Sequence, residues 1–594
     1  MKAAVDRSLG LAAALILAVA AVASLYSVYE FGQDRFFTVD EYQFGHATWL
    51  VSEGERPYLD FYEHHFPLSY VLHAPVLWLD GSFSERILRL RKVPFVYLAL
   101  LSGVLVAAGY AVTRNRFVAL LSAFVPMTLG FGLMSAIDYR ADSFSACLFL
   151  ACLALLEANL GANRRDRGDR GEPGGWNRRS VAVVCGVLFM AAVLMTQKMA
   201  FVAGTTLAIW AAFHFWRGMK PHSSGSMLQP PVVFTGFFSA AAAGVLVVAL
   251  GTGAVLGLLP AAFQATILDA IEHERVYPTS SSLGRYLVPF WSATRISTLA
   301  LLVCGGVYVA SRPGRFWRVP IAAAMAAAML ARTQYPYNYV LVSMLIVLCA
   351  VRGWSQLVEG MAQRFAMAGR LRPILYLLPL AVLPAQHDFL TRASSNEQQI
   401  NLLRKIEAFS DENDVVIDNA GGALFRHHGS YYFHHGKAHR RMFSSYFEGQ
   451  LIDDYRRSRA LFWIADYRLG DLPRQALLFW RRHYIRADLN LYTLGFETPE
   501  TFDVPVEIEI DVIRAGAYHV HPLVPGAARA ELVVDSREIG SGTVHLEEGR
   551  HRVTALPHSA PMLVSLLPPE AFEPWVYGTR HYTRLFEFEV PTAR

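Results

Sequence analysis

Residues 8–42 read SLGLAAALILAVAAVASLYSVYEFGQDRFFTVDEY, and this stretch decides the class of the chain. Residues 8–28 carry no charge and are mostly apolar, matching the roughly 20 residues a helix needs to cross a bilayer. A short polar segment follows, then the adjacent carboxylates Asp40 and Glu41 set among aromatic residues. Ala21-Val22-Ala23-Ser24 resembles a signal-peptidase site, so removal of this run as a signal is the alternative reading. Against it, the apolar run is long and the acidic loop follows directly.

The rest of the chain repeats the pattern. Further apolar runs lie at 92–112, 117–135, 141–160, 180–197, 199–216, 232–258, 292–311, 319–333, 337–351 and 372–386, which makes eleven candidate spans. The charge distribution agrees. Residues 387–594 hold 51 Asp, Glu, Lys and Arg in 208, the soluble norm, whereas the first 386 residues hold 52. The expected architecture is a multi-span α-helical membrane part over 1–386, an α/β unit over 387–502 and a β-sandwich over 503–594. A cytosolic enzyme and a disordered protein are excluded.

The net charge of +5 sits largely in short loops. Lys2 and Arg7, Arg114 and Arg116, the arginines of 164–179, Arg217 and Lys220, Arg312–Arg318, and Arg352–Arg372 all fall on one side of the expected spans. The positive-inside rule makes that side cytoplasmic, and puts 29–91, 259–291 and everything after 386 outside. No basic patch interleaved with aromatics exists, so nucleic acid is not an expected partner. The five cysteines all lie in apolar runs and read as core residues.

Chemistry concentrates in the first external loop. Asp40-Glu41 suits general-base work or a divalent cation, and equally the N-terminal turn of a helix. Pro57–Leu68 follows, with Glu63-His64-His65-Phe66-Pro67 at its centre. In order and spacing the membrane part resembles the GT-C superfamily of membrane glycosyltransferases, which use polyprenyl-phosphate sugars. The resemblance rests on Asp40-Glu41 after the first span and His64–Tyr70 leading into 74–81. Further on it rests on Arg89 at the next span, Tyr139–Phe144 with Asp142, Leu194–Lys198, and Tyr335–Tyr339. Relatives of the aminoarabinose and protein-mannosyl type often carry Glu-Lys-Pro-Pro where this chain has Glu63-His64-His65-Phe66-Pro67, so the lysine expected at the donor phosphate is absent.

The resemblance implies catalytic carboxylates among Asp40, Glu41 and Asp142. It implies phosphate contacts from Lys198, Arg89, Arg332 and His65, and substrate contacts from Glu63, His64 and Tyr337. For the cations, a snorkelling side chain at a helix end is the competing reading. It implies transfer of a sugar, with inversion, from a polyprenyl phosphate to a cell-envelope glycan, lipid or protein outside the cytoplasmic membrane. No resident cofactor follows, although a divalent metal is compatible with the acid pair. The competing function is a transporter or flippase of lipid-linked saccharides, which would more usually show internal repeats and carboxylates inside its spans.

In the tail, Asp414–Asp418, Ala460–Ile464 and Leu489–Leu494 read as strands and Arg474–Arg482 as a helix. The histidines His427, His428, His434, His435 and His439 suit either a metal or a polar, aromatic acceptor-facing loop. Period-two strands from Val504 onward indicate the sandwich, which resembles carbohydrate-binding and PA14-like domains over about fifty residues. The loop 262–291 reads as an interfacial helix or as a cover for the site.

Overall fold

The computed structural model describes residues 2–128, 130–165, 178–218, 229–276, 280–281, 283–311, 315–330, 333–365, 368–384, 395–434, 436–466, 468–499, 504–522, 531–557, 559 and 561–572. The chain is a multi-span helical membrane protein carrying a C-terminal sheet-rich domain. Six helices among the described residues are long and apolar enough to cross a membrane: Arg7–Asp34, Phe83–Thr113, Ala141–Asn159, Thr235–Val255, Phe290–Ala310 and Pro336–Arg364. Shorter apolar helices lie at Arg179–Met195, Phe316–Leu330 and Leu371–Pro384.

Among the described residues the apolar runs fall largely on helix, and two of those expected as single spans are broken: 372–386 divides at 376–377, between Ala368–Leu375 and Leu378–Ala381. The run expected as a single span over 117–135 is three short helices, Arg116–Ser122, Val125–Thr128 and Gly130–Ala136. Pro126, which lacks an amide hydrogen, sits at the start of the second. The first helix passes through Ala21–Ser24 without interruption.

Helix boundaries follow local chemistry. Ser82 caps Phe83–Thr113 by accepting the Glu85 amide at 3.3 Å, while the Glu85 carboxylate accepts the Ser82 amide at 2.8 Å. That helix has 31 residues, about 46 Å at 1.5 Å per residue, so its first turns stand clear of a ~30 Å hydrocarbon layer.

In the soluble domain, the parallel strands Val415–Ile417 and Phe462–Ile464 form the centre of the α/β unit. Leu491–Glu497 pairs antiparallel with Phe462–Ile464 on one side and with Met562–Ser565 on the other. The sheet therefore runs on through Gly516–Pro522 to Gly542–Leu546. A second sheet, built on Val506–Val512 and Gly549–Ala555, covers it. Between the two lie Val512, Tyr518, Val520, Val534, Val553 and Val564, the sandwich core. The α/β unit expected over 387–502 and the sandwich expected over 503–594 are joined in one sheet through Leu491–Glu497.

The C-terminal domain packs directly on the segment after the first helix. Phe37, Tyr42, Phe44 and Leu50 share a buried core with Leu403, Phe425, Phe433 and Phe572. Gln399 closes the junction: it accepts the Phe37 amide at 2.7 Å and donates to the Phe37 carbonyl at 2.9 Å. Gly421, at φ +79°, has the Tyr42 carbonyl 3.1 Å from where a Cβ would stand, so only glycine suits both its backbone and its space.

Candidate active site

Thr38 ends the segment after the first helix and caps Val39–Ser52 in a box with Glu41, at 3.3 and 2.9 Å. The cap orients two neighbouring carboxylates differently, because successive helical residues point about 100° apart. Glu41 turns inward. It is fully buried and takes Arg91 in a bidentate pair, Nε at 3.0 Å and Nη2 at 2.9 Å, with Arg35 at 3.7 Å and the Tyr139 amide at 3.3 Å. Burial opposes the charge on Glu41, but Arg91 and Arg35 outweigh it and hold the carboxyl below its usual range. Such a carboxylate has no free lone pair to take a substrate proton. Glu41, expected among the catalytic carboxylates, is thus held by Arg91, Arg35 and the Tyr139 amide rather than turned to the cleft.

Asp40 turns the other way and keeps about a quarter of its side chain exposed. Arg140, in the turn before Ala141–Arg165, pairs with Asp40 through Nη1 and with Asp142 through Nη2 at 3.4 Å. Lys198, at the start of Gln197–Gly218, reaches the other oxygen of Asp142 at 3.4 Å. Tyr337 lies beneath both cations, its ring 3.8 Å from the Arg140 guanidinium and 4.2 Å from the Lys198 ammonium. Burial works against the charge on Arg140, but Asp40 and Asp142 more than offset it. The cluster joins four segments far apart in sequence.

Beside it opens a cleft. Asp142, Ser145, Thr196, Lys198 and Tyr337 contribute polar groups, and Ala146, Met199, Val202, Ala324, Ala328 and Leu341 supply apolar surface. Lys198 has half its side chain exposed there. One anionic headgroup with an apolar tail matches this combination of ammonium and aliphatic wall.

The other expected residues separate into three groups. His65 stands near enough to act on Asp142 electrostatically, and its Nδ1 is 2.7 Å from the Glu63 carboxylate. Glu63 is fully buried and also accepts the His64 and His65 amides at 2.8 and 3.0 Å, so it shapes the loop rather than facing the cleft. His64 leans away toward His273 and His439. Arg89, expected at the donor phosphate, donates to the carbonyls of Leu79 and Asp80 at 2.6 and 2.7 Å, in the turn before its own helix. Arg332 lies outside the described residues.

Sequence reading missed Arg140, although Tyr139-Arg140-Ala141-Asp142 was in view, and missed Arg35 and Arg91 entirely. It also missed a buried chain in which the Tyr139 hydroxyl meets Thr48 at 2.9 Å and His73 at 3.2 Å.

No family model matches the chain, and no curated protein matches it in sequence. Solved structures do resemble it. ArnT from Cupriavidus metallidurans bound to undecaprenyl phosphate aligns at 12% identity over 81% of this chain and 97% of its own, with a TM-score of 0.49. The Archaeoglobus fulgidus oligosaccharyltransferase aligns at 13% over 92% and 94%, with a TM-score of 0.47. Arabinosyltransferase EmbB from Mycobacterium smegmatis aligns at 11% over 92% and 64%, with a TM-score of 0.38. At such identities these likenesses concern the course of the backbone, and the chemistry is read from this chain's own residues.

Proposed function

We propose that the protein is a membrane glycosyltransferase that moves a sugar from a polyprenyl-phosphate donor to an acceptor hydroxyl outside the cytoplasmic membrane. The observation that carries this reading is the half-exposed Lys198 ammonium at a cleft walled by alanines and methionine, with Asp40 one guanidinium away. The polyprenyl chain follows the apolar wall and the phosphate takes Lys198.

In the reaction the acceptor oxygen attacks the anomeric carbon from the face opposite the phosphate. Its proton passes to Asp40, and the carbon–oxygen bond to phosphate breaks with its electron pair leaving on the phosphate. Arg140 gives this scheme its order. Before donor binds it neutralises Asp40 and Asp142. A phosphate arriving beside Lys198 competes for the guanidinium and frees Asp40 to act as base, and cations around the leaving group stabilise the charge that develops there. Attack from the opposite face inverts the anomeric centre. A cell-envelope glycan or lipid is the acceptor class that an external site beside a soluble domain suits. The N-terminus is cytoplasmic and the soluble domain extracytoplasmic, following the positive-inside charges.

The experiment is transfer of label from synthetic polyprenyl-phosphate sugars by purified protein, wild type against Asp40→Asn. Removal of a general base costs about 10²–10⁴-fold in rate. Equal rates would remove Asp40 from the role. Absence of transfer by wild type, combined with donor-dependent flipping in vesicles, would replace the enzyme reading with a transporter.

A further inference from the structure

Glu157 lies deep in the helix Ala141–Arg165, about 22 Å along it from Asp142 at 1.5 Å per residue. An ionisable side chain inside a span is costly, and it persists where neighbouring helices supply partners. Three helices do so here. Trp317 of Arg315–Leu330 donates its indole N–H to Glu157 Oε1 at 3.0 Å. The Tyr308 hydroxyl, on Leu283–Ala310, donates to the same oxygen at 3.2 Å. Arg352, on Val340–Arg364, reaches Oε2 at 3.4 Å. All four side chains are buried.

We propose that Trp317, anchored on Glu157, is a positioning residue that sets the place of the alanine wall of the cleft and so the fit of a polyprenyl chain against it. The inference rests on the reading above that this cleft takes a lipid phosphate.

The helix that carries Trp317 is itself the wall. Ala324 and Ala328 line the cleft, and they stand at i+7 and i+11 from Trp317. At 3.6 residues per turn these three side chains share one face. A turn or slide of the helix at its Trp317 end therefore moves the wall at its other end. The opposite side of the cleft belongs to the helix of Glu157, which contributes Asp142, Ser145 and Ala146. One hydrogen bond thus relates the two sides.

Two features single out Trp317 among the three donors. Its ring is fully buried and carries a single N–H, so one bond at 3.0 Å fixes the orientation of a large rigid group, whereas 3.4 Å to Arg352 is long for N–H···O. Pro320, with no amide hydrogen to give the helix, stands between the anchor and the wall. Beyond the wall Met329 and Leu330 are exposed, so that end gains little hold from packing.

Fluorescent polyprenyl phosphate is titrated into the full-length protein in detergent, so that binding is read without turnover. Trp317→Phe keeps an aromatic ring and loses the N–H, and is expected to weaken binding about tenfold. Tyr308→Phe removes a hydrogen bond from the same oxygen, on a helix with no residue among those that line the cleft, and is expected to bind as wild type does. Ala328→Leu leaves Glu157 and its donors untouched, crowds the cleft directly and is expected to weaken binding about tenfold. Combined with Trp317→Phe its effect falls short of additive, because both act through one wall. Equal weakening by Trp317→Phe and Tyr308→Phe overturns the proposal, since both then act through general stability. Wild-type affinity in Trp317→Phe overturns it too, and so does wild-type affinity in Ala328→Leu, whatever the folding of the Trp317 variant. A wild type that binds the lipid but transfers no sugar removes the enzyme reading and leaves this inference standing; one that does not bind the lipid removes both.

Discussion

Glu41 and Arg91 form a bidentate ion pair, at 3.0 and 2.9 Å, from which water is wholly excluded. Arg91 also donates to the carbonyls of Gly32 and Phe36, at 2.9 and 2.8 Å, and so ties the end of the first helix to the loop that bears Asp40. Breaking one partner of a buried pair leaves the other charge uncompensated, at about 3–5 kcal/mol. Arg91→Met and Glu41→Gln are therefore expected to lower the thermal unfolding midpoint in detergent sharply. Asp40→Asn, one residue away and partly exposed, is expected to leave it nearly unchanged. Equal midpoints for the Glu41 and Asp40 variants would contradict the division between pin and base.

Lys198→Met keeps the aliphatic stem on the cleft and removes only the ammonium. A hydrogen bond to a charged group is worth about 1.5–3 kcal/mol, so kcat/KM for the lipid donor is expected to fall roughly 10–100-fold. A fall confined to the acceptor's KM would move the phosphate elsewhere.

Acid is expected to loosen the junction between domains. His46, on Val39–Ser52, lies 2.8 Å through Nδ1 from the Leu424 carbonyl and 3.1 Å through Nε2 from His428. Burial drives its pKa down to about 4, against the Leu424 carbonyl and Glu55, which favour the charged form. The unfolded chain takes up this proton near pH 6.5 and the folded one only near 4, so the stabilisation is complete above 6.5 and lost as pH falls toward 4. The span corresponds to about 3 kcal/mol. Unfolding midpoints followed from pH 7 to 4.5 should fall more steeply for wild type than for His46→Gln, and parallel curves would reject the assignment.

Truncation after Gly495 is expected to damage more than a sandwich. It removes Met562–Ser565, which pairs with Leu491–Glu497, and takes away Leu563, Leu567 and Phe572 from the core shared with Phe37 and Phe425. The truncated protein should show a destabilised soluble domain by proteolysis and hydrogen exchange. Wild-type protection of residues 415–464 in that variant would mean the shared strand contributes little.

Reporter fusions provide a direct test of orientation. A fusion near Gly168 should report a cytoplasmic location and one after Arg392 an external location; the reverse would place Asp40 on the wrong side of the membrane for an external acceptor.

The helical runs and the alternating strands were legible because both are local properties of the sequence: length of apolar run in one case, period two in the other. Val506–Val512 and Gly549–Ala555 emerge where the alternation predicts them. The acid pair was legible as two adjacent carboxylates. What could not be read was how differently the two are surrounded, because Arg140 meets Asp40 on one side and Arg35 and Arg91 hold Glu41 on the other. Arg89 and Arg91, two residues apart on one helix, fare oppositely for the same reason. The sharing of Leu491–Glu497 by both parts of the tail and the meeting of His64, His273 and His439 are likewise products of tertiary contact.

The Gln399 clasp on Phe37 has a consequence for how the two halves communicate. Phe37 lies three residues ahead of Asp40, and its backbone is gripped from the soluble side at both its amide and its carbonyl. Asn396 extends the grip by donating to the Gln33 carbonyl at 2.6 Å. The C-terminal domain therefore cannot tilt on the helical part without pulling on the backbone that carries Asp40. A molecule that wedges or settles that domain adjusts the reach of the carboxylate, as a hand on a lever sets the angle of its tip.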